Sequence, residues 1–314
     1  MFEMSRSDVS DVTLKYCTHR LPQQKAMALS ELSHDEQELL CLLLCNVLHP
    51  GLAVALGTVS GELRAAAREP LRRLKTDHHV ATALWRKLGY RVCKQECKGL
   101  REAPRIWSEM QGLSSDDMAL LGTLGSMLPA LQELVLKEPT ASPDGVQRLA
   151  EKLGAGALPA VDSLRLYDFH VGDAGASALA AALCRGAMPR LKVLKLSCTK
   201  ISDAGLVALA PALRRLPALV SLNLNGNPFG DEGLGALVAP PPPSSAGAPP
   251  PTKGKLAMLK SLSLRHTQIS EAGCFSMALA MENHDPLPAL ERLELDDGVL
   301  QLYGSYTGRH IPQP

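Results

Sequence analysis

Apolar and polar positions in the second half of the chain follow one template. It reads Leu-x-x-Leu-x-Leu, a short polar stretch, then an apolar residue, an acid and a glycine. Copies begin at Leu131, Val161, Leu191, Leu219, Leu259 and Leu290, at steps of 30, 30, 28, 40 and 31 residues. Gly145, Gly175, Gly205, Gly233 and Gly273 repeat the same 30, 30, 28 and 40. Two markers in register make this an internal repeat rather than a coincidence.

Each residue type in the template has a physical role. Leucines two apart predict a strand with one face turned inward, since side chains alternate across a strand. Val171, Ile201, Phe229 and Ile269 bring the chain back under the core. Asp173, Asp203 and Asp231 sit where a carboxylate can cap a helix N-terminus, with Glu271 a weaker substitute and Asp144 displaced by one residue. Ala/Leu stretches such as Leu206, Leu209 and Leu213 predict the helices, and Pro129, Pro159, Pro189, Pro217 and Pro288 reset the backbone to extended geometry. One unit cannot hide both its leucine face and its helix stripe, so the copies must stack.

The pattern is similar to the leucine-rich repeats, and the unit length resembles their ribonuclease-inhibitor subtype. The resemblance implies an α/β solenoid with parallel strands on the concave face and helices on the convex face, preceded by an α-helical N-terminal region. The family's Asn after the last strand leucine survives as Asn227, while Thr199, Thr267, Phe169 and Pro139 occupy the same place elsewhere. The expected divisions are an arm over 1–30, a helical region over 31–112, a repeat domain over 113–303 and a tail over 304–314. Leu113 to Leu128 reads as a degenerate repeat helix. A Pro/Ser/Ala insertion over 239–254 fills the 40-residue step, and its composition predicts an extended solvated loop. A ligand for an SH3-like domain is the alternative reading of that insertion.

Ahead of the repeats, Ser33 can cap a helix carrying Leu39, Leu40, Leu43, Leu44, Val47 and Leu48, stopped by His49-Pro50-Gly51. Further helices are expected over Leu52–Thr58, Glu62–Lys75 and Val80–Leu88. Leu44, Leu48, Pro50, Leu52, Val59-Ser60, Leu63-Arg64 and Leu84-Trp85-Arg86-Lys87-Leu88 resemble an F-box. The opening Leu-Pro pair is missing, and the stretch between Arg64 and Leu84 is longer than the family's. That resemblance implies docking to a Skp1-like adaptor through Leu44, Leu48, Pro50, Leu52 and Trp85. The alternative is that these helices only cap the end of the repeat stack.

Composition narrows the function further. The chain is 46% hydrophobic but only 4% aromatic, which favours a Leu/Ala/Val core. Lys and Arg total 33 against 32 Asp and Glu, so no global field draws in nucleic acid or anionic lipid. Twelve Lys/Arg against five Asp/Glu over 62–105 form a local basic cluster, which reads as a solvated helix face because no base-reading motif accompanies it. The longest apolar run, Leu39 to Leu48, falls short of the roughly 20 residues of a membrane span. The N-terminus lacks an apolar signal-peptide core, so a cytoplasmic protein with reduced thiols is expected, with the nucleus open. Cys41/Cys45 and Cys93/Cys97 lie one helical turn apart within apolar patterns, and a core role is expected over metal binding. No phosphate loop, His-Glu-x-x-His or nucleophile elbow is present, so neither enzyme activity nor a cofactor is expected.

Function is therefore expected on the outward strand positions. Arg165, Tyr167, Lys195, Asn223, Asn225 and Arg265 form a basic and polar centre that would bind a protein partner. The chain is expected to be an interaction scaffold. Substrate recognition for an SCF-type ubiquitin ligase is one form of that role. The other is a generic leucine-rich-repeat regulator or inhibitor, of the ribonuclease-inhibitor or GTPase-regulator type.

Overall fold

The computed structural model describes residues 68–88, 102–140, 142–239, 256–283 and 286–296. The expected arm, the helices around Leu44 and Leu52, both cysteine pairs, most of the 239–254 insertion and the tail lie outside the described residues, as do Leu44, Leu48, Pro50 and Leu52 themselves. The chain divides into two compact units, Met1–Trp85 with Gln95–Leu100 and Arg86–Lys94 with Arg101–Pro314.

Helix α1 (Arg68–Leu88) holds the described residues of the first unit and ends in the second. Separate helices over Glu62–Lys75 and Val80–Leu88 were expected, but the helix runs unbroken through Thr76-Asp77-His78-His79. None of those four is Gly or Pro, and the Thr82 hydroxyl donates to the His78 carbonyl at 2.7 Å within the turn. Ala81, Leu84, Trp85 and Leu88 are buried along one stripe at i, i+3, i+4 and i+7.

The second unit alternates strands and helices. They are β1 (Arg105–Glu109), α2 (Ser115–Leu124), β2 (Glu133–Lys137), α3 (Gly145–Lys152), β3 (Ser163–Tyr167), α4 (Gly172–Cys184), β4 (Val193–Ser197), α5 (Asp203–Leu213), β5 (Ser221–Asn223), α6 (Asp231–Val238), β6 (Ser261–Ser263), α7 (Glu271–Asn283) and β7 (Arg292–Glu294). All seven strands form one parallel sheet in chain order. This is a leucine-rich-repeat solenoid. Among the described residues the sheet starts at Arg105, ahead of the expected boundary at 113, and has seven strands rather than six.

Register explains the template. Ile106, Leu134, Leu164, Leu194, Leu222, Leu262 and Leu293 face one another across the sheet in a continuous buried row. Leu136, Leu166, Leu196, Leu224, Leu264 and Leu295 are buried two residues further along each chain segment. Helix residues such as Leu149, Leu179, Leu209, Leu237 and Met277 close the core from the other side, and successive helices from α2 to α7 pack side by side. Each fully buried leucine contributes about 1.5–3 kcal/mol.

The aspartates of the template do cap helix N-termini, but those of the next repeat. Asp173 of α4 accepts from the Ser202 and Gly205 backbone N–H groups at 2.8 and 3.1 Å, and from the Ser202 hydroxyl at 2.6 Å. Asp203 of α5 accepts from the Gly230 and Gly233 N–H groups at 2.9 and 2.6 Å. Asp231 of α6 accepts from the Ser270 N–H at 2.8 Å and its hydroxyl at 2.5 Å. A carboxylate at the positive end of a helix dipole is favourable in itself, and charge-assisted bonds are worth about 1.5–3 kcal/mol each. The invariant spacing to glycine follows from the same contact. A methyl group at Gly205 or Gly273 would overlap the Oδ1 of Asp173 or Asp231, and at Gly233 it would lie 3.0 Å from Oδ1 of Asp203. Asp144 does not take part in this forward link. Its Oδ1 accepts from the Ser115 hydroxyl of the preceding repeat at 2.5 Å.

Loops on the strand side carry a second set of links. Asn227 is buried, accepts from the N–H groups of Thr199 and Ile201 at 3.1 Å each, and donates to the Leu196 and Leu224 carbonyls at 2.7 and 2.8 Å. Glu138 does similar work one repeat from the start of the sheet. It is buried and accepts from the Gly112 N–H and the Thr140 hydroxyl, both at 2.8 Å. The Asn position of that repeat, Pro139, has no side-chain polar group, so the residue before it makes the link.

Two outcomes test these links. Asn227→Ala strands two buried N–H groups and should lower stability by about 3 kcal/mol or more, read as a shift of the urea unfolding midpoint. Gly273→Ala should destabilise the wild-type chain by about 1–3 kcal/mol but cost clearly less in an Asp231→Ala background. Additive effects in that cycle would show that glycine is not making room for the carboxylate.

Candidate functional site

Helices cover one face of the sheet, and the strand residues between the buried ones form the other. The pairing register aligns them in three rows. The first is Arg105, Glu133, Ser163, Val193, Ser221, Ser261 and Arg292; the second is Trp107, Val135, Arg165, Lys195, Asn223, Ser263 and Glu294. The third begins Glu109, Lys137, Tyr167 and Ser197, and continues past the short strands with Asn225, Arg265 and Asp296. Seven strands at about 4.8 Å spacing give a surface about 29 Å across.

This face is less uniformly solvated than alternation alone suggests. Glu133, Val135, Ser163 and Ser263 point outward but are buried. Glu133 is shared by two arginines: one oxygen meets Arg105 Nε, and the other lies 3.2 Å from Arg165 Nη2. Arg165 also donates from Nε to the Ser163 hydroxyl at 3.1 Å. Lys137 and Glu109 pair at 3.0 Å, and the hydrogen bond from Lys137 to Glu109 holds its ammonium above the usual lysine range.

The six residues expected to bind a partner divide by what holds them. Asn223 Oδ1 accepts from the Ser197 hydroxyl at 2.8 Å and from the Asn225 N–H at 3.0 Å. Asn225 Oδ1 accepts from the Arg265 N–H at 2.8 Å, extending the link between neighbouring repeats beyond the three-residue strands. The carbonyl ends of both asparagines are thus committed to the scaffold. Arg165 is oriented by Glu133 and Ser163. Lys195 and Tyr167 make no side-chain hydrogen bond or ion pair among the described residues, and the Arg265 Nε is buried without a partner. All six lie on the one face, with Arg165 and Lys195 adjacent in register.

Sequence reasoning missed β1 and with it Arg105, Trp107 and Glu109. The strand is hard to see because Ala103 and Ser108 stand where the template has leucine, although both are buried. The Ser108 hydroxyl lacks a hydrogen-bond partner among the described residues, which marks it as a polar intruder at a leucine position. A step of 28 residues from Ile106 to Leu134, equal to one of the steps in the recognised array, was the available signal. Trp107 matters most, because it keeps 43% of its surface exposed, and Met110 just beyond the strand keeps 67%.

At the exit from the strands, Met110, Asp168, Cys198, Gly226 and His266 share left-handed φ values of 46–69°. Glycine is the relaxed choice, and a methyl at Gly226 would lie 2.6 Å from Cys198 Sγ. Burial and then the Asp168 carboxylate push the Cys198 thiol above its ordinary pKa. No group of His, Cys, Asp or Glu suited to holding a metal occurs among the described residues, and no described helix is long and apolar enough to cross a membrane.

A family model described as Leucine Rich repeat matches residues 188–210 and 216–238, the two repeats with the least altered template. No curated protein matches the chain. Among solved structures, the C-terminal domain of tropomodulin from Caenorhabditis elegans is 12% identical, covering 62% of this chain and 92% of that one with a TM-score of 0.35. The Rad7 and Elc1 complex of yeast is 14% identical over 97% of this chain and 91% of that one, with a TM-score of 0.23. Neither is near enough to assign a partner.

The environment of Cys198 has a measurable consequence. Although Cys198 is exposed, its raised pKa leaves less thiolate at pH 8, so it should alkylate with iodoacetamide more slowly than free cysteine, followed by peptide mass spectrometry. Asp168→Asn removes the nearby negative charge and should speed Cys198 alone.

Proposed function

We propose that this chain is a non-enzymatic protein-interaction scaffold that takes a protein partner on the open face of its sheet. The observation that carries the reading is the division on that face. Its regular polar residues are bonded into the scaffold, while Lys195, Tyr167 and Trp107 have no hydrogen-bonding partner among the described residues. Aromatic and cationic side chains held on a rigid sheet are suited to be binding hot spots, because little entropy is lost when they are covered. Once β1 is counted the face has twenty-one outward positions, four of them already buried, so a standard interface of roughly 20–30 residues a side would also draw on the bordering loops. The repeat length and the α-helical convex side favour the ribonuclease-inhibitor subtype.

Docking of a Skp1-like adaptor is a second role, resting on the F-box resemblance. Of the residues that would carry it, Trp85 is 2% exposed and serves the core, while Leu44, Leu48, Pro50 and Leu52 lie outside the described residues. Co-expression with such an adaptor and loss of co-purification on Leu44→Asp with Leu48→Asp would support this role; absence of association would remove it.

The main reading is tested by site-specific photo-crosslinking in cells. A photoreactive amino acid at Lys195 should give discrete protein adducts, and one at the exposed Val207 on helix α5 should not. Adducts at Val207 alone would place the partner on the helical side. Lys195→Glu with Arg265→Glu should abolish partner capture with an unchanged circular dichroism spectrum. Arg165→Glu is a poorer probe, since it leaves Glu133 facing a like charge.

A further inference from the structure

The two halves of the open face differ in charge and in apolar exposure. Strands β1 to β4 present four cations, Arg105, Lys137, Arg165 and Lys195, against two carboxylates, Glu109 and Glu133. Both carboxylates are already used, Glu109 by Lys137 and Glu133 by two arginines at once. Strands β5 to β7 and the residues just after them balance Arg265 and Arg292 with Glu294 and Asp296. The excess positive charge therefore sits on the β1–β4 half, where the exposed Trp107 also lies.

Within that half the register sets an order. Trp107, Val135, Arg165 and Lys195 occupy one row at right angles to the strands. Adjacent strands are about 4.8 Å apart, so Trp107 lies about 10 Å from Arg165 and about 14 Å from Lys195 along the sheet. An extended peptide advances about 3.3 Å per residue. A peptide crossing the strands with an apolar side chain on Trp107 would bring the residue four positions away, which points to the same side, over Lys195 and beside Arg165.

We propose that the β1–β4 half of the open face takes an acidic peptide segment of a partner protein, with an apolar residue seated on Trp107 and a carboxylate four residues away on Lys195, beside Arg165. The inference rests on the scaffold reading above and specifies the partner's chemistry. Lys195 contributes most to discrimination, because Arg165 already shares Glu133 and Lys195 has no carboxylate among the described residues. Trp107 supplies area and a flat face, and its place in the terminal strand leaves it open. Phosphate-rich nucleic acid would also meet the cations, but a single row of two cations and one aromatic side chain fits a short acidic peptide better than a backbone carrying one charge per nucleotide.

The test is selection of a short random-peptide library on the immobilised full chain, followed by fluorescence titration of the winning peptide. Selected sequences should be enriched in Asp and Glu, with an aromatic or aliphatic residue four positions from an acid. The chain has two tryptophans, and Trp85 is buried, so binding should shift the emission of Trp107. Affinity should fall at least about tenfold on Lys195→Glu or on replacing the peptide's acids with amides, and about fivefold or more on Trp107→Ala. Trp107→Phe should retain binding but lose the emission change. Neutral or basic winners, no winners, or displacement of the peptide by equimolar oligonucleotide would overturn the proposal. If it fails while crosslinks at Lys195 persist, the scaffold reading stands without the acidic partner; if both fail, the open face is not the interface.

Discussion

The carboxylate that crosses from one repeat to the next helix is the constraint on which this structure depends. Leucine burial alone would let neighbouring units slide, because apolar contact is non-directional. Asp173, Asp203 and Asp231 fix the register by demanding two or more donors at a set place in the following unit. The donors are the N–H groups and serine hydroxyl at a helix start, which would otherwise need another acceptor. Gly205, Gly233 and Gly273 clear space for the carboxylate arriving from behind, whereas Gly175 meets Val171 and Val146 instead. An Asp-x-Gly that looks like a local turn is therefore half of two links, giving with its acid and receiving at its glycine.

That stitching lies on the helical side, and its counterpart on the strand side is built from different residues in each repeat. Asn227, Glu138 and the Asn223–Asn225 pair all place a side-chain oxygen on backbone N–H groups of an adjoining turn or repeat. With both sides pinned, the sheet is a rigid platform. Rigidity would favour the proposed interface, since side chains such as Tyr167 and Trp107 would lose little further freedom on contact.

Legibility in the sequence followed the energy of the interactions. Leucine burial is worth the most and repeats most strictly, so the strands from Leu131 onward could be placed to the residue. The acid-to-glycine spacing was readable as capping, but the helix that receives the cap was not, because a local pattern does not say which neighbour is close in space. Strand β1 escaped notice because Ala103 and Ser108 replace leucines, and the unbroken helix α1 because a polar Thr-Asp-His-His stretch resembles a loop. The alternation of the strands gave the outward positions, which lie on one face. Its inner division was not visible, since whether Asn225 is free or spent depends on the Arg265 N–H forty residues away.

The same distinction bears on where specificity resides. A residue that keeps the array regular has its hydrogen-bonding capacity used within the chain, and it offers a partner little beyond shape. Asn223 and Asn225, in the best-formed copy of the template, are of this kind. Capacity is left over at two other positions. Lys195 stands beside residues that are already paired, and Trp107 stands in the strand whose leucines have been lost. Among the described strands β1 has a neighbour on one side only, and the Trp107 ring keeps 43% of its surface exposed. The residues with capacity left over are thus Lys195, in a well-formed repeat, and Trp107, in the degenerate first strand, and the proposed interface would use both.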